Sequence, residues 1–425
     1  MHSAPEIKGW CPGALSPMQS DDGLLMRPKV VGSRLTLAQA REIAAIAGEC
    51  GNGLLDLSQR AQLQMRGLGE ATREEAQARL KAIGLLAPDA ATESVLNVIA
   101  SPLTGGAFDA NEIAARLASA LVEDRTLQQL PGKFLFLVDD GDAPGLAEVA
   151  ADIRLEALGG DIAVVIDGAR DLAFVATPDV AIDAALDLAR AFIRLREGRA
   201  FELRRMRALV DALGVQPPLG EAALSAVPYH SACRTASMAD LLGARQAGEG
   251  FFAGIAAPFG RWLASDFSRV IEAAAQEGGS ELRLTPWRAV LALAPSNNAA
   301  TRIARAAASL GLIVDAEDAR LAITACPGAP ECPQAKGATR DRLERLAPIA
   351  RQLAPQGIGL HVSGCAKGCA KPSPAPATLI VNGEGFDLVH DGRASDAPSL
   401  SGLSLADVER ILAERARKEA SCPAA

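Results

Sequence analysis

The chain has 425 residues, of which 49% are hydrophobic and 22% charged, as in a soluble globular protein of two or three domains or one large duplicated one. The net charge of −8 argues against a general nucleic-acid or membrane binder, which needs a basic surface. No signal peptide is evident, and no stretch approaches the roughly 18 apolar residues of a membrane span. The eight cysteines are too few for a disulfide scaffold, so we expect a cytoplasmic protein whose clustered cysteines serve metal or redox chemistry.

Residues 23–66 show the pattern of a strand, a helix and a second strand. An extended run opens the segment, and Thr36 then fits a helix N-cap with Gln39 as its capping-box partner. Apolar residues recur at helical spacing from Leu37 to Ala47 and predict the buried face of that helix. The second strand is predicted at residues 54–57.

The same pattern returns more weakly from Gly250 onward. Four segments correspond in the same order, namely residues 23–25 with 250–252, 32–35 with 260–263, the helix after Thr36 with one that contains Phe267 and Ile271, and 55–60 with 282–288. This order favours an internal duplication over two unrelated strand–helix–strand units. A longer stretch of alternating strands and helices follows each copy, which predicts an α/β fold class.

Buried apolar runs and helical periodicity predict the elements of these longer stretches. After the first copy we expect strands at 134–138, 162–166 and 172–175 and a helix at 180–197. After the second we expect helices at 299–310 and 339–353, strands at 321–324 and 358–362, a hairpin at Asn382-Gly383 and a last helix from Ser404. Residues 214–235, with three prolines, are the predicted linker between the halves.

Four cysteines lie in two loops that directly follow predicted buried strands of the C-terminal half, namely Cys326 and Cys332, then Cys365 and Cys369. The carboxyl ends of such strands face the crevice in which α/β sheets bind ligands. Gly, Pro, Ala and Ser surround the cysteines, so backbone N–H groups can approach the sulfur atoms. Three lysines place positive charge near these thiols, Lys336, Lys367 and Lys371.

The spacings C-x5-C and C-x3-C favour a [4Fe–4S] cluster held by all four thiolates. The alternatives are a structural zinc site with four cysteine ligands, which usually shows two tight C-x2-C pairs, and four incidental buried thiols. Of the other cysteines, Cys50 is predicted to lie in the core, and Cys233 and Cys422 in the linker and the C-terminal tail. Cys11 is ambiguous, and a structural role is favoured.

The cysteine spacings resemble the cluster motif of the siroheme-dependent sulfite and nitrite reductase family, and nearly the whole chain is similar to it. Residues 58–64 look like the family's arginine-bearing strand end at the tetrapyrrole and anion site, and residues 100–105 are another similar segment. The resemblance implies an internally duplicated fold in which each half is a ferredoxin-like unit plus a larger α/β unit. We expect these units at residues 1–95, 96–213, 214–300 (with the linker) and 301–425.

Within the family, the resemblance is to the branch that acts on precorrin-3A in aerobic cobalamin biosynthesis. The segments that carry it are residues 9–18, 130–134, 138–141, 151–155, 284–288 and 361–369. The branch implies an oxygen-dependent monooxygenase that hydroxylates precorrin-3A at C20 and forms a γ-lactone from a ring A acetate. The reductases bring a lysine pair into their anion pocket, whereas here we find only Lys133, followed by the acidic residues 139–142. A siroheme-dependent sulfite or nitrite reductase is the alternative.

The implied substrate is a large tetrapyrrole with many carboxylates, for which arginine is a well-suited partner. Basic residues of the two copies are the candidates, namely Arg27, Arg60, Arg66 and Arg288, with Arg283, Lys29 and Arg34 as weaker ones. Lys29 and Arg34 are expected to be solvated surface charges. A large polycarboxylate needs a cleft with several such cations, so we expect the stronger candidates to line a crevice beside the cluster.

A fully cysteine-ligated cubane has no open site for O2, so an additional iron centre, mononuclear or siroheme, is expected to activate it. No ligand or catalytic residue follows from the sequence, because His361 and His230 are better interpreted as packed or surface histidines. No G-x-G-x-x-G follows a strand, so electrons from NADH are expected to arrive through a separate reductase. Two further classes are a non-catalytic zinc module with four cysteine ligands and a simple electron-transfer protein, for which 425 residues are excessive.

Overall fold

A computed structural model describes residues 11–421 apart from Thr104, Ala143, Glu249, Arg342 and Glu384. The start of the first resemblance segment, Gly9-Trp10, and the tail cysteine Cys422 lie outside the described residues. The described chain contains four β-sheets, two in each half.

The first antiparallel sheet contains five strands, in the spatial order Met18–Ser20, Gly23–Met26, Leu63–Leu68, Leu54–Leu57 and Arg261–Leu263. Helices Leu37–Glu49 and Arg73–Ala82 belong to the same half. The first of them confirms the predicted capping box, because the Thr36 hydroxyl accepts from the Gln39 amide and the Gln39 side chain accepts from the Thr36 amide.

The second antiparallel sheet has the order Gly243–Ala247, Gly250–Ala256, Ala289–Ala294, Glu281–Leu284 and Arg34–Thr36. Its helices are Ala264–Gln276 and Asn297–Ser309, and a short helix, Met238–Leu241, precedes it. The predicted helix at 299–310 is confirmed with shifted ends.

The two antiparallel sheets exchange one strand each. Arg34–Thr36 comes from the first copy and pairs in the second sheet, whereas Arg261–Leu263 comes from the second copy and pairs in the first. These are the segments whose sequences match, and helices Leu37–Glu49 and Ala264–Gln276 pack together in one apolar core beneath both sheets. The reciprocal exchange confirms the predicted duplication and makes the two copies one folding unit.

The first mixed sheet begins with three parallel strands, Val98–Ala100, Phe136–Asp139 and Ile153–Leu158, and continues antiparallel with Asp161–Ile166, Leu172–Ala176 and Val227–Pro228. Its helices are Ala90–Val95, Ala110–Glu123, Pro178–Leu195, Met206–Leu213 and Gln216–Glu221. The strands and helix predicted after the first copy are confirmed with small shifts at their ends.

The second mixed sheet repeats this plan. Three parallel strands, Ile323–Ala325, Leu360–Ser363 and Ala375–Asn382, are followed by the antiparallel strands Gly385–Gly392 and Leu400–Leu403. The helices are Ala347–Leu353 and Leu405–Ser421. The shared order and direction of the strands extend the duplication to the α/β units, and the predicted hairpin and last helix are confirmed.

Short 3-10 helices complete the secondary structure, at Val31–Ser33, Glu70–Thr72, Arg125–Gln129, Pro258–Gly260, Ala319–Ala322 and Leu343–Leu346. In the described part of the chain no helix combines the length and the apolar character that crossing a bilayer requires.

One local prediction needs correction, and the structure adds detail to a second. The helix predicted at 339–353 is wrong in its first part, since the α-helix is only Ala347–Leu353. The Thr339 hydroxyl instead donates to the Cys326 carbonyl at 2.6 Å, and the Arg340 side chain donates to Asp56, so this segment follows the cysteine loop. The predicted linker at 214–235 is an ordered connection, because it contains a helix and an edge strand of the first mixed sheet.

Candidate active site

All four candidate cluster cysteines lie at the carboxyl edge of the second mixed sheet. Cys326 directly follows Ile323–Ala325, and Cys365 follows Leu360–Ser363 after one glycine. These strands are parallel neighbours, so their loops leave the sheet side by side. Exposure of the residues increases from buried Cys326 through half-buried Cys332 and Cys365 to exposed Cys369.

The thiols of the two cysteine loops influence the pKa of Cys365 and of Cys369. Burial of the thiol raises the pKa of Cys369, Lys367 opposes this, and the three other thiols raise the pKa further. Burial also raises the pKa of Cys365, and Cys332 and Cys326 add to this. Among the described residues, no three His, Cys, Asp or Glu side chains are placed to hold one metal ion together. A cubane makes a different demand, since each of its irons takes a single thiolate.

A glycine fixes the two cysteine loops against each other. The Gly364 amide donates to Cys326 Sγ at 3.2 Å, and the Gly364 carbonyl accepts from the Lys336 amide at 2.9 Å. A Cβ atom added at Gly364 would lie 2.6 Å from the Cβ of Ala335, so no larger residue fits unless the loops move. An N–H donor on a ligand sulfur is what stabilises cluster thiolates, and this contact therefore fits a [4Fe–4S] group.

The first half contains the same hydrogen bond without a thiol. Ser101 follows Val98–Ala100 as Cys326 follows its strand, and both residues extend their strand by an N–H bond to the neighbouring strand. The Asp140 amide donates to the Ser101 hydroxyl at 3.1 Å, just as the Gly364 amide donates to Cys326 Sγ. The duplication therefore reaches the site itself, and these equivalent positions carry thiol chemistry in the second half.

A buried charged network joins the first antiparallel sheet to the first cysteine loop. Its six members are Asp22, Asp56, Glu331, Arg66, Arg261 and Arg340. The Asp56 carboxylate lies at the centre, 3.0 Å from Arg261 Nε and 2.8 Å from Arg340 Nη1. Although burial alone would raise the pKa of Asp56, Arg340 and Arg261 hold it well below its usual range.

Arg66, a candidate substrate residue, belongs to this network. Its side chain pairs with Asp22 at 2.9 Å, and the residue is only 2% exposed. Its Nη2 also donates to the Glu331 carbonyl at 2.8 Å, beside Cys332. Arg66 thus has protein partners for its charge and contacts the cysteine loop, apart from the other candidate arginines.

Arg27 and Arg60 come together with Lys29. Arg60 Nη2 donates to the Lys133 carbonyl at 2.8 Å, while Arg60 Nη1 and Arg27 Nε are buried without a hydrogen-bond partner among the described residues. Burial, and then the nearby Arg205, lowers the pKa of Arg60 to about 10. Arg27, Lys29 and Arg60 therefore form a cationic cluster with unpaired donors that suit carboxylates.

The prediction that Lys29 is a solvated surface charge is wrong. The residue is 7% exposed, and its Nζ donates to Asn97 Oδ1 at 2.7 Å. Burial, and then Arg27, lowers the pKa of Lys29 to about 8. Arg34 is solvated over half of its side chain but pairs with Glu281.

Arg288 lies apart from these residues, against the second mixed sheet. Its Nη1 donates to the Thr324 hydroxyl at 3.2 Å, and burial followed by Arg340 lowers its pKa to about 10. His361 lies fully buried on the neighbouring strand, and neither ring nitrogen has a partner among the described residues. Burial, then Lys371 and Arg288, lowers the pKa of His361 to about 4, so this histidine is neutral at pH 7. His230, the other histidine considered, is exposed.

One contact joins the cationic cluster to the cysteine loops. The Gln59 side chain donates to the Ala370 carbonyl at 3.3 Å, so the loop that carries Arg60 touches the residue after Cys369. Ala61, in the same loop, has φ 52°, and Arg288 has φ 62° in the matching loop of the second copy. The turn is therefore repeated, and Arg60 corresponds to Trp287 by position.

Asp56, Arg340 and Arg205 are among the site residues that were not predicted from the sequence. A carboxylate inside the apolar run Leu54–Leu57 was a sign that Asp56 needed a buried partner. Arg340 has no such local sign, because its partner lies 284 residues earlier in the chain. Arg205 pairs with Asp152 at 3.0 Å and lies near Arg60 of the cationic cluster. The tertiary fold alone brings these distant residues together.

Comparisons with known proteins agree with this architecture. Residues 16–83 match the family model of the nitrite/sulfite reductase ferredoxin-like half domain. The solved structure of the Mycobacterium tuberculosis NirA protein superposes with a TM-score of 0.70 at 19% identity, covering 93% of this chain and 81% of that chain. The chain therefore has the fold of the nitrite and sulfite reductases.

A relative of known name identifies the family of this chain within that fold. A protein of Sinorhizobium sp named precorrin-3B synthase is 30% identical over 413 residues, which cover 92% of this chain and 84% of that protein. The chain belongs to the precorrin-3B synthase family and is an oxidoreductase of the monooxygenase type that serves cobalamin biosynthesis.

Proposed function

We propose that this enzyme converts precorrin-3A to precorrin-3B by oxygen-dependent hydroxylation at C20 with formation of a γ-lactone from the ring A acetate. The observation that carries the proposal is the contact of the Arg60 loop, at Gln59, with the loop of Cys369. This contact supports a substrate site that would lie between the cationic cluster and the candidate cluster cysteines. The family name of the relative supports a tetrapyrrole substrate.

The four thiols would hold the [4Fe–4S] cluster. Cys326 and Cys332 come from one loop and Cys365 and Cys369 from the other, and the Gly364 amide supports the first sulfur. When bound, such a cluster supplies single electrons at a potential set by nearby charges and N–H donors. We infer that an external NADH-dependent reductase delivers these electrons.

The cationic cluster would bind the carboxylates of the substrate. Arg27 and Arg60 each keep a buried N–H without a protein acceptor among the described residues, and Lys29 is charged at pH 7 because its pKa is about 8. A macrocycle held by these groups would lie near the loop of Cys369, which the Gln59 side chain contacts. Arg288, whose Nε lacks a partner in the described structure, would bind a further carboxylate at the second copy of the loop.

Oxygen activation would require an iron centre in addition to the cluster, mononuclear or siroheme. Among the described residues, His361 has the chemical properties that an iron ligand needs. Both ring nitrogens lack partners in the described structure, and its lowered pKa keeps the imidazole neutral. Packing beside the cluster loop is the simpler interpretation of His361, and we assign no ligand.

A siroheme sulfite or nitrite reductase is the second candidate, favoured by the shared fold. Against it, the Lys133 side chain is exposed, and the following Asp139 and Asp140 are buried carboxylates. Neither carboxylate adds to the concentrated positive charge that a small anion requires.

One experiment separates the two candidates. Anaerobically purified protein is examined for siroheme absorbance and then assayed in parallel with precorrin-3A under O2, and with sulfite and nitrite under a reductant. We expect the tetrapyrrole product and negligible anion reduction. Strong siroheme absorbance together with efficient reduction of either anion would establish the reductase instead.

The buried Lys29 predicts that substrate binding by the cationic cluster depends on pH. Because its pKa is about 8, the Kd for the anionic tetrapyrrole is expected to rise between pH 7 and pH 9, by up to about tenfold. Lys29→Met should bind more weakly at pH 7 and lose this dependence. Lys133→Met is the matched control, since that side chain is exposed. Anaerobic titration followed by fluorescence measures the Kd, and an unchanged pH dependence in Lys29→Met would contradict the assignment.

A further inference from the structure

Arg340 occupies a special position between the charged network and the thiols. It follows Thr339, whose hydroxyl donates to the Cys326 carbonyl, so its backbone is tied to the first cysteine loop. Its Nη1 donates to Asp56 at 2.8 Å, and its side chain is only 13% exposed. The guanidinium is therefore held between a carboxylate of the first half and a candidate cluster ligand of the second.

The Nε–H of Arg340 is buried and has no hydrogen-bond partner in the described part of the chain. A buried donor without an acceptor is unfavourable, so such a group points to an acceptor that the protein acquires. Cys326 lies close enough to oppose the lowering of the Arg340 pKa that burial causes. The Arg340 guanidinium therefore combines an unpaired buried donor with electrostatic proximity to a candidate cluster ligand.

The rest of the network fixes this cation in place. Arg66 is balanced by Asp22 and Arg261 by Glu331, while Asp56 serves Arg340 and also reaches Arg261. Each of the three arginines therefore has a carboxylate partner. Because arginine stays charged in proteins, Arg340 is a permanent positive charge beside Cys326.

We propose that the charge of Arg340 sets the reduction potential of the four-cysteine cluster and that Asp56 holds Arg340 in position. This inference rests on the proposed cluster. A fixed positive charge stabilises the reduced cluster, which carries one more electron, and so raises the potential. Through the Asp56 contact, the first half of the duplicated chain controls the electron affinity of a site in the second half.

The test is an anaerobic redox titration of the cluster-loaded protein followed by EPR, after iron and sulfide contents are matched. Arg340→Gln is expected to shift the midpoint potential to a lower value, and Arg340→Lys to restore it in large part. Arg320→Gln is the matched control, because it removes a cation of the same unit that pairs with Asp318, and it should leave the potential unchanged.

A wild-type potential in Arg340→Gln with an intact cluster would overturn the inference and leave the proposed function standing. If Arg340→Gln does not fold, the double variant Asp56→Asn/Arg340→Gln replaces it, since it leaves Arg66 and Arg261 with Asp22 and Glu331. That variant removes one charge of each sign, so its shift to a lower potential should be smaller, and it should persist because Cys326 acts on Arg340 and not on Asp56. No shift would overturn the inference. Wild-type protein without iron or sulfide would overturn both this inference and the proposed cluster.

Discussion

Cys365→Ser is expected to abolish the iron–sulfur cluster, with loss of its visible absorbance and its EPR signal. A serine hydroxyl is a far poorer ligand than a thiolate, and Cys365 lies in electrostatic contact with Cys326 and Cys332. The fold itself should survive, because the half-buried Cys365 side chain lies in a surface loop and not in the apolar core. Iron and sulfide analysis after anaerobic purification measures the effect.

Cys233→Ser is the matched control for this variant. Cys233 is also a half-buried free thiol, but burial and then Asp139 and Glu156 raise its pKa to about 12, which disfavours a thiolate. Its replacement should leave iron and sulfide at the wild-type level. Retention of a full cluster in Cys365→Ser, or its loss in Cys233→Ser, would contradict the ligand assignment.

Asp56→Asn is expected to destabilise the fold by about 3–5 kcal/mol, because it leaves buried arginines without their shared counter-charge. Arg261 and Arg340 both donate to this carboxylate, and the residue is 5% exposed. The midpoint of denaturant-induced unfolding, followed by circular dichroism, measures the loss. Asp179→Asn is the control, since Asp179 is 80% exposed in its pair with Arg116 and should change the midpoint little.

The same carboxylate predicts an acid dependence of stability. Arg340 and Arg261 overcome the effect of burial and depress the pKa of Asp56 in the folded state. Its contribution is therefore complete above the unfolded value of about 3.9 and is lost as the pH falls through the depressed folded value. Asp56→Asn should lack this part of the wild-type loss at pH values below about 4, and an identical acid profile would contradict the role of Asp56.

Local chemistry explains which features could be predicted from the sequence. The Thr36–Gln39 capping box and the turn at Asn382-Gly383 depend on residues a few positions apart, and both are confirmed. The placement of cysteines directly after parallel strands likewise needs only the strand pattern and the rule for ligand-binding edges. These features predicted that the two cysteine loops follow buried strands, and in the fold those strands are parallel neighbours.

Tertiary contacts explain what could not be predicted. The exchange of Arg34–Thr36 and Arg261–Leu263 between sheets leaves no mark in either segment beyond their similarity. Lys29 is buried because Asn97 accepts its hydrogen bond, a partner 68 residues away. Such pairings depend on the folded arrangement of distant segments, and a charged residue alone gives no indication of them.

The proposed reaction requires that this enzyme incorporate an atom of O2 into a tetrapyrrole. Its most direct test is incubation of the cluster-containing protein with precorrin-3A, an NADH-dependent reductase and isotopically labelled O2, followed by mass spectrometry. We expect a product that contains one labelled oxygen atom, located in the new hydroxyl group. A product without label, or label that enters only from labelled water, would contradict the proposed monooxygenase reaction.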